Sequence, residues 1–257
     1  MSTILITGAS RGIGQALALG YAAPGARLVL IARSQPALEE VAAECRRRGA
    51  AVMCAAIDVR DRRAMATLIA ATDLHTPIDI VIANAGVTSG TPPGGVLEPP
   101  DDSLRTIEVN ITGVLNTLHP LLPGMVARGR GQIGIVGSLA GLIPLPDSPS
   151  YCATKAAVLA YGQALRGRLA GHGIGVSVVC AGYVSTAMAA RVSGSKPGAL
   201  SAEQAARIIA AGLARNRAII VFPRWLALLA RLGAALPERL RRALVGRFST
   251  TPSEPAP

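Results

Sequence analysis

Apolar residues in this chain gather in short runs, separated by longer stretches that mix apolar and polar positions. The runs fall at Thr3 to Thr7 (TILIT), Arg27 to Ala32 (RLVLIA), Ala51 to Ile57, Ile78 to Ala83 (IDIVIA), Gly131 to Gly137, Gly175 to Cys180 (GVSVVC) and Ala218 to Phe222. Runs this short, rich in Val and Ile and bounded by Gly or polar residues, read as strands buried on both faces. The stretches between them have helical composition: Gly14 to Ala23, Pro36 to Arg48 with Pro36 in the first turn, a helix capped by Asp61 and ending near Thr72, one starting near Asp101 and carrying Asn110, Ser150 to Ala170, and Ser201 to Arg215. Buried strands alternating with helices predict an α/β fold, a doubly wound parallel seven-stranded sheet with helices on both faces. Two segments rich in Gly and Pro, Thr88 to Pro100 and Ala187 to Ala199, are expected to be loops.

Composition narrows this picture. The chain has 257 residues, half of them apolar but only 3% aromatic, so one large core must be built from Ala, Val, Leu and Ile. The net charge is +11, nearly all from Arg, and the only lysines are Lys155 and Lys196. A charge of this sign fits nucleic acid or an anionic membrane as a partner, and equally a general Arg bias. With few aromatic residues and no recognised module, nucleic acid is not expected as a partner. Cys45, Cys54, Cys152 and Cys180 form no CxxC pair, so no metal site is expected and the thiols read as reduced. Met1-Ser2-Thr3 runs straight into an apolar strand without a cationic stretch, and no apolar segment is long enough to span a bilayer. Both point to a cytoplasmic protein.

The first strand leads into Thr7-Gly8-Ala9-Ser10-Arg11-Gly12-Ile13-Gly14 and then a helix. Glycines in a strand-turn-helix let the backbone approach a pyrophosphate at the helix N-terminus, whose N–H groups have no partner within the helix. The end of the second strand selects between the two nicotinamide dinucleotides. An acidic residue there binds a ribose 2′-hydroxyl, whereas an Arg pairs with a 2′-phosphate. Here the residues are Ala32-Arg33-Ser34 with no acid, and Arg11 lies in the Gly loop. NADP(H) is therefore expected over NAD(H), with Arg11 and Arg33 as phosphate ligands. Asp58, ending the third strand, is placed to meet the adenine amino group, and Asn84-Ala85-Gly86 ends the fourth, where ligands bind in doubly wound folds.

Tyr151 and Lys155 are four apart and share one helix face. A free phenol titrates near 10 and is a poor base at neutral pH; an adjacent ammonium is expected to lower that value. Tyr151 then exchanges a proton with a substrate oxygen while a hydride moves to or from the nucleotide. Ser138 ends the fifth strand and can orient that oxygen. TGASRGIG at 7–14, DV at 58–59, NAG at 84–86, VN at 109–110, GS at 137–138, YCATK at 151–155 and AGYVST at 181–186 together resemble the short-chain dehydrogenase/reductase family over about residues 2–187. The resemblance implies a single-domain Rossmann fold and a catalytic tetrad of Asn110, Ser138, Tyr151 and Lys155. In it, Asn110 holds a water in a proton relay reaching Lys155, and Lys155 binds the nicotinamide ribose. It also implies nucleotide contacts from Gly8, Ser10, Gly12, Ile13, Gly14, Val59, Val184 and Thr186, with Thr186 at the carboxamide, and a homodimer or homotetramer. One departure is Ala181, where the family usually has Pro.

Residues 1–222 are expected to form the nucleotide-binding and catalytic domain, 223–248 a helical extension of it, and 249–257 a disordered tail. Candidate substrate-pocket walls are Ser138, Ala140, Leu142, Ile143, Pro144 and Tyr183, mostly apolar, with no cationic clamp for a carboxylate. They favour a small hydrophobic or lipid-like ketone or alcohol. The alternatives are a 3-oxoacyl thioester reductase and a non-enzymatic NADPH-binding regulator; the complete tetrad argues against the regulator. Trp225, Leu228, Leu229, Leu232 and Leu236 recur at helical spacing, flanked by Arg224 and Arg231. Pro237 begins a second segment with Leu240, Leu244, Arg239, Arg241, Arg242 and Arg247. Two readings stand for 223–247: packing on the domain or a second subunit, and peripheral contact with the inner face of a membrane.

Overall fold

A computed structural model describes residues 2–92, 97–190, 194 and 196–245, the side chains of 242–245 excepted. The chain runs β1 (Thr3–Thr7), α1 (Gly12–Tyr21), β2 (Arg27–Ala32), α2 (Gln35–Arg47), β3 (Ala51–Ala56), α3 (Arg62–His75) and β4 (Ile80–Ala83). It continues through α4 (Pro100–Ile107), a π-helical turn (Glu108–Thr112), α5 (Gly113–Leu118), α6 (Leu122–Arg128), β5 (Gly131–Val136) and α7 (Pro149–Leu169). Then come β6 (Ile174–Ala181), β7 (Val184–Ser185), α8 (Ala187–Ala190), β8 (Leu200–Ser201), α9 (Ala202–Ala214), β9 (Ile219–Phe222), α10 (Arg224–Ala234) and α11 (Glu238–Val245). All seven expected strands are present and pair in parallel in the order β3-β2-β1-β4-β5-β6-β9. This is the doubly wound, Rossmann-type arrangement that the apolar runs predict.

The strand period of two divides the core. On β1, Ile4 and Ile6 pack with Leu28 and Leu30 of β2 against α1, α2 and α9. Leu5, Val29 and Ile31 turn to the opposite face, beside Met65 and Ile69 of α3, Val114 and Leu118 of α5 and Val158 of α7. Each strand therefore needs apolar side chains at consecutive positions, which is why it reads as a run and not as an alternation. Local chemistry sets the helix starts. The Asp61 side chain accepts from Ala64 N at 2.9 Å, and Ser201 with Gln204 forms a reciprocal capping box at α9.

Three regions differ from expectation. The helix carrying Asn110 passes through a π turn and continues as α5, with α6 following; Gly113, Pro123 and Gly124 had hidden this helical stretch. The segment from Ala187 contains α8, and Leu200–Ser201 pairs with Val184–Ser185 in a second, two-stranded sheet. Finally, α10 lies against the sheet end through Ala227, Ala230 and Gly233, with Leu226 packed beside them, while Trp225, Leu228 and Leu229 are left exposed. The expected disordered tail, 249–257, lies outside the described residues, as does Arg247.

Candidate active site

Strand order changes direction between β1 and β4, since β1 leads outward to β2 and β3 while β4 leads the other way to β5, β6 and β9. Side chains beyond the strand ends part at such a switch point, and a crevice forms there. A cavity of about 890 Å³ occupies it, bounded by the turn after β1, the ends of β2 to β6, the start of α7, the 183–189 segment and α10.

Its nucleotide end is built from backbone. Gly8 and Gly12 take positive φ (65° and 57°), which side chains rarely adopt. A Cβ on Gly8 would stand 2.9 Å from Ala85 Cα. Gly14 does not line the cavity: a Cβ there would meet the Gly8 carbonyl oxygen, so this glycine lets α1 close on the loop. Asn84 holds the same loop, donating from Nδ2 to the Thr7 and Gly8 carbonyls at 2.9 and 3.2 Å, while Thr7 Oγ1 accepts from Asn84 N and Ala85 N. Ser10, Ile13, Val59, Gly86, Val184 and Thr186 all reach the wall. Arg11 and Arg33 are exposed at its rim, and neither has an ion pair among the described residues. Asp58 also lines the cavity, with its carboxylate engaged by Arg60 at 2.8 Å; that hydrogen bond holds its pKa below the usual range. A bare backbone cradle at a helix N-terminus, with two guanidinium groups at its rim, fits a dinucleotide.

Ser138, Tyr151 and Lys155 meet on the wall beyond this cradle. Ser138 follows β5, and its hydroxyl accepts from Ala140 N at 3.1 Å and hydrogen-bonds the Tyr151 hydroxyl. Lys155, one turn along α7, is buried, donates from Nζ to the Val136 carbonyl at 3.0 Å and lies 5.5 Å from the Tyr151 ring centroid. Loss of hydration lowers its pKa from 10.5 to about 8. The expected lowering at Tyr151 is not found. Burial pushes the phenol up, and the Ser138 hydrogen bond opposes this only in part.

Asn110 lies behind the wall, almost fully buried in the π turn. Its Oδ1 accepts from Val87 N at 2.8 Å, and its Nδ2 donates to the Val87 carbonyl and Thr154 Oγ1. It thus ties the loop after β4 to the Tyr151 helix. A Cβ on Gly86 would approach both Asn110 Oδ1 and Lys155 Nζ, at 3.3 and 3.6 Å, so glycine leaves the path between them open.

Of the expected substrate walls, Ser138, Ala140, Ile143 and Tyr183 line the cavity. Leu142 does not: it packs with Leu139, Cys180 and Ala227 in a small core under α10. Pro144 is also outside the lining, and Leu145 takes that place. Val87, Met188, Leu226, Leu229 and Ala230 complete the apolar end. Glu98 was also missed. Its Oε2 accepts from Ser150 N at 3.0 Å and from the Ser150 and Ser103 hydroxyls, anchoring α7 one residue before Tyr151. A lone Glu in a Pro-rich loop carries no signal for such a contact.

The sequence profile described as short chain dehydrogenase matches residues 2–196. An uncharacterized oxidoreductase of Myxococcus xanthus is 34% identical over 248 residues, covering 96% of this chain and 97% of its own length. The 17-beta-hydroxysteroid dehydrogenase 13 of Rattus norvegicus is 32% identical over 94% of this chain and 81% of its own. The solved structure of a short-chain dehydrogenase from Sphingobium yanoikuyae in complex with NADPH superposes with a TM-score of 0.80 at 30% identity, covering 93% of this chain and 97% of that one. A profile match over most of the length, near-complete alignment and a close structural superposition lead to one conclusion: the chain belongs to the short-chain dehydrogenase/reductase family, whose members are NAD(P)-dependent oxidoreductases.

Proposed function

We propose that this protein is an NADP(H)-dependent oxidoreductase that transfers a hydride between nicotinamide and the carbonyl or secondary alcohol of a hydrophobic, lipid-like substrate. The observation that carries this reading is the meeting of Ser138, Tyr151 and Lys155 on one wall of a cavity whose cradle end is cationic and whose far end is apolar. The nucleotide, when bound, supplies or accepts the hydride. Gly8, Gly12 and Ile13 hold its pyrophosphate through the backbone, Arg11 and Arg33 its 2′-phosphate, and Thr186 its carboxamide. NADPH in the Sphingobium relative supports the nucleotide class, and the missing acid at the end of β2 supports the phosphate preference.

Ser138 donates to the substrate oxygen and orients it, and Tyr151 gives that oxygen its proton. A phenol pushed up by burial stays protonated at neutral pH, so the resting site is set for carbonyl reduction. Lys155 remains mostly charged below about pH 8, stabilises the phenolate once the proton has left and anchors the ribose. Asn110 acts by position, holding Val87 and Thr154, and so the helix bearing Tyr151, in place. The protein is further proposed to work in the cytoplasm as a homodimer or homotetramer. Four unpaired cysteines support the compartment. No helix among the described residues is long and apolar enough to cross a membrane.

The test is a panel of hydrophobic ketones, short polar ketones and 3-oxoacyl thioesters, followed by NADPH absorbance with a parallel NADH series. Preferred turnover of bulky apolar ketones with NADPH is expected. Turnover confined to thioesters would replace the substrate class, and an NADH preference would remove the role given to Arg11 and Arg33.

A further inference from the structure

Helix α10 is amphipathic in the reverse sense to a core-packing helix. Its buried face is made of small residues, Ala227, Ala230 and Gly233, which let it sit close against Leu139 and Cys180. Leu226 packs inward with them, but the other large apolar residues of α10 and Leu236 just beyond it point outward: Trp225, Leu228, Leu229, Leu232 and Leu236 are 37–59% exposed and fall on one stripe at the helical period. Leu240 of α11 adds to this exposed apolar surface. Among the described residues these side chains stay largely exposed, so the stripe is open to a partner. Isolated exposed leucines are ordinary; a continuous stripe of this kind marks an interaction surface.

The charges around the stripe identify the partner. Arg224 and Arg231 lie on its flank, Arg239 and Arg241 beside Leu240, and all but the half-buried Arg241 are exposed. None has an ion pair among the described residues. A second copy docked on the same face would bring two such guanidinium rims together, on chains that each carry +11. An anionic bilayer meets both demands, with acyl chains for the stripe and headgroups for the arginines. A Trp at the end of the stripe suits the headgroup boundary.

We propose that α10 and α11 form a monotopic docking surface for an anionic lipid bilayer, with α10 lying in the plane of the interface. Leu229 belongs at once to the exposed stripe and to the cavity wall, and Leu226 and Ala230 line the cavity beside it. Docking therefore sets the apolar end of the cavity against the bilayer, where a membrane-dissolved substrate enters without crossing water. This delivery step rests on the substrate class proposed above; docking itself does not.

Trp225 is the only tryptophan and reports on its own surroundings. The full-length protein, with no substrate, is mixed with vesicles of phosphatidylcholine alone or with added phosphatidylglycerol. Binding is read by flotation and by Trp225 emission. The expected result is co-flotation and a blue shift with the anionic vesicles, both weakened by salt. In Leu228→Glu/Leu232→Glu the affinity should fall at least about tenfold, while NADPH binding and the thermal transition are retained. Arg224→Gln/Arg239→Gln, which keeps the leucine stripe, should weaken binding to anionic vesicles alone. Absence of flotation, equal binding by the leucine variant, or a vesicle-free dimer that shields Trp225 and dissociates in that variant would overturn the proposal. Because no turnover is measured, its failure is separate from failure of the proposed reaction.

Discussion

Replacing Lys155 by Met should stabilise the protein while abolishing its chemistry. The Lys155 side chain is buried at the end of β5, where Nζ donates to the Val136 carbonyl and no carboxylate pairs with it among the described residues. Burial lowers its pKa to about 8, against 10.5 for the ordinary group. Between these values the unfolded chain holds a proton that the folded chain has released, so wild-type stability climbs as pH rises through this window and falls again as pH drops toward 8. Keeping the ammonium charged in the fold at pH 7 thus costs about 3 kcal/mol, a little over 1 kcal/mol for each unit of the shift. Met matches the length of the side chain without the charge. Loss of the Val136 hydrogen bond takes back about 1 kcal/mol, leaving a net gain of about 2 kcal/mol at pH 7. For a chain of this size that is roughly a 4–8 °C rise in Tm. The assay is urea and thermal unfolding of both proteins from pH 6 to 10.5 without added nucleotide. The stability gap should be widest below pH 8 and narrow steadily above it, as the wild type gains what the variant never lost. A Lys155→Met protein that is less stable at pH 7, by an amount indifferent to pH, would refute the assignment of Lys155 as a desolvated charge kept at a cost in stability.

Arg33→Ala, alone or with Arg11→Ala, should raise the Kd for NADPH about 10- to 100-fold while leaving that for NADH nearly unchanged, because only NADPH offers a 2′-phosphate to the guanidinium; isothermal titration with both nucleotides checks it. Gly14→Ala puts a methyl group against the Gly8 carbonyl oxygen and should cost about 3 kcal/mol or more, with loss of nucleotide binding before loss of secondary structure; circular dichroism beside NADPH fluorescence separates the two effects. Glu98→Ala frees the start of α7, so about 1 kcal/mol of stability should go together with a fall in kcat, since Ser150 and Tyr151 lose their anchor. A stability loss at unchanged kcat would show that Glu98 holds the helix without positioning the phenol.

The strands and the Gly loop were legible because the physics that forms them is local. A strand buried on both faces must be apolar at consecutive positions, and a backbone turn with positive φ needs glycine, so β1, Gly8 and Gly12 mark themselves. Ser138, Tyr151 and Lys155 were visible through their order and spacing. What stayed hidden depends on distant partners. The π turn at Asn110 has no compositional mark, and the amide's partners, Val87 and Thr154, lie 23 and 44 residues away. Leu142 and Leu145 look alike in sequence, but one follows the short turn 139–141 into a core cluster and the other faces the cavity. The most instructive case is α10. Its periodicity identifies an amphipathic helix, but not that Ala227, Ala230 and Gly233 are the buried side. Small residues allow close approach to the sheet end, and that preference appears only when the neighbouring surface is known. The Tyr151 phenol illustrates the same point for electrostatics: an i, i+4 spacing places an ammonium nearby, while burial by distant parts of the chain sets the direction of the shift.

The central claim is that Tyr151 passes the proton during NADPH-dependent reduction, and Tyr151→Phe tests it most directly. The variant keeps the buried ring and removes only the hydroxyl. Single-turnover NADPH oxidation with the best ketone of the panel is measured beside NADPH affinity. Turnover should fall by at least about a hundredfold, the low end of what a positioned proton donor contributes, with the Kd for NADPH within a few-fold of wild type. Turnover that survives the substitution would contradict the account and move the proton to another group on the cavity wall.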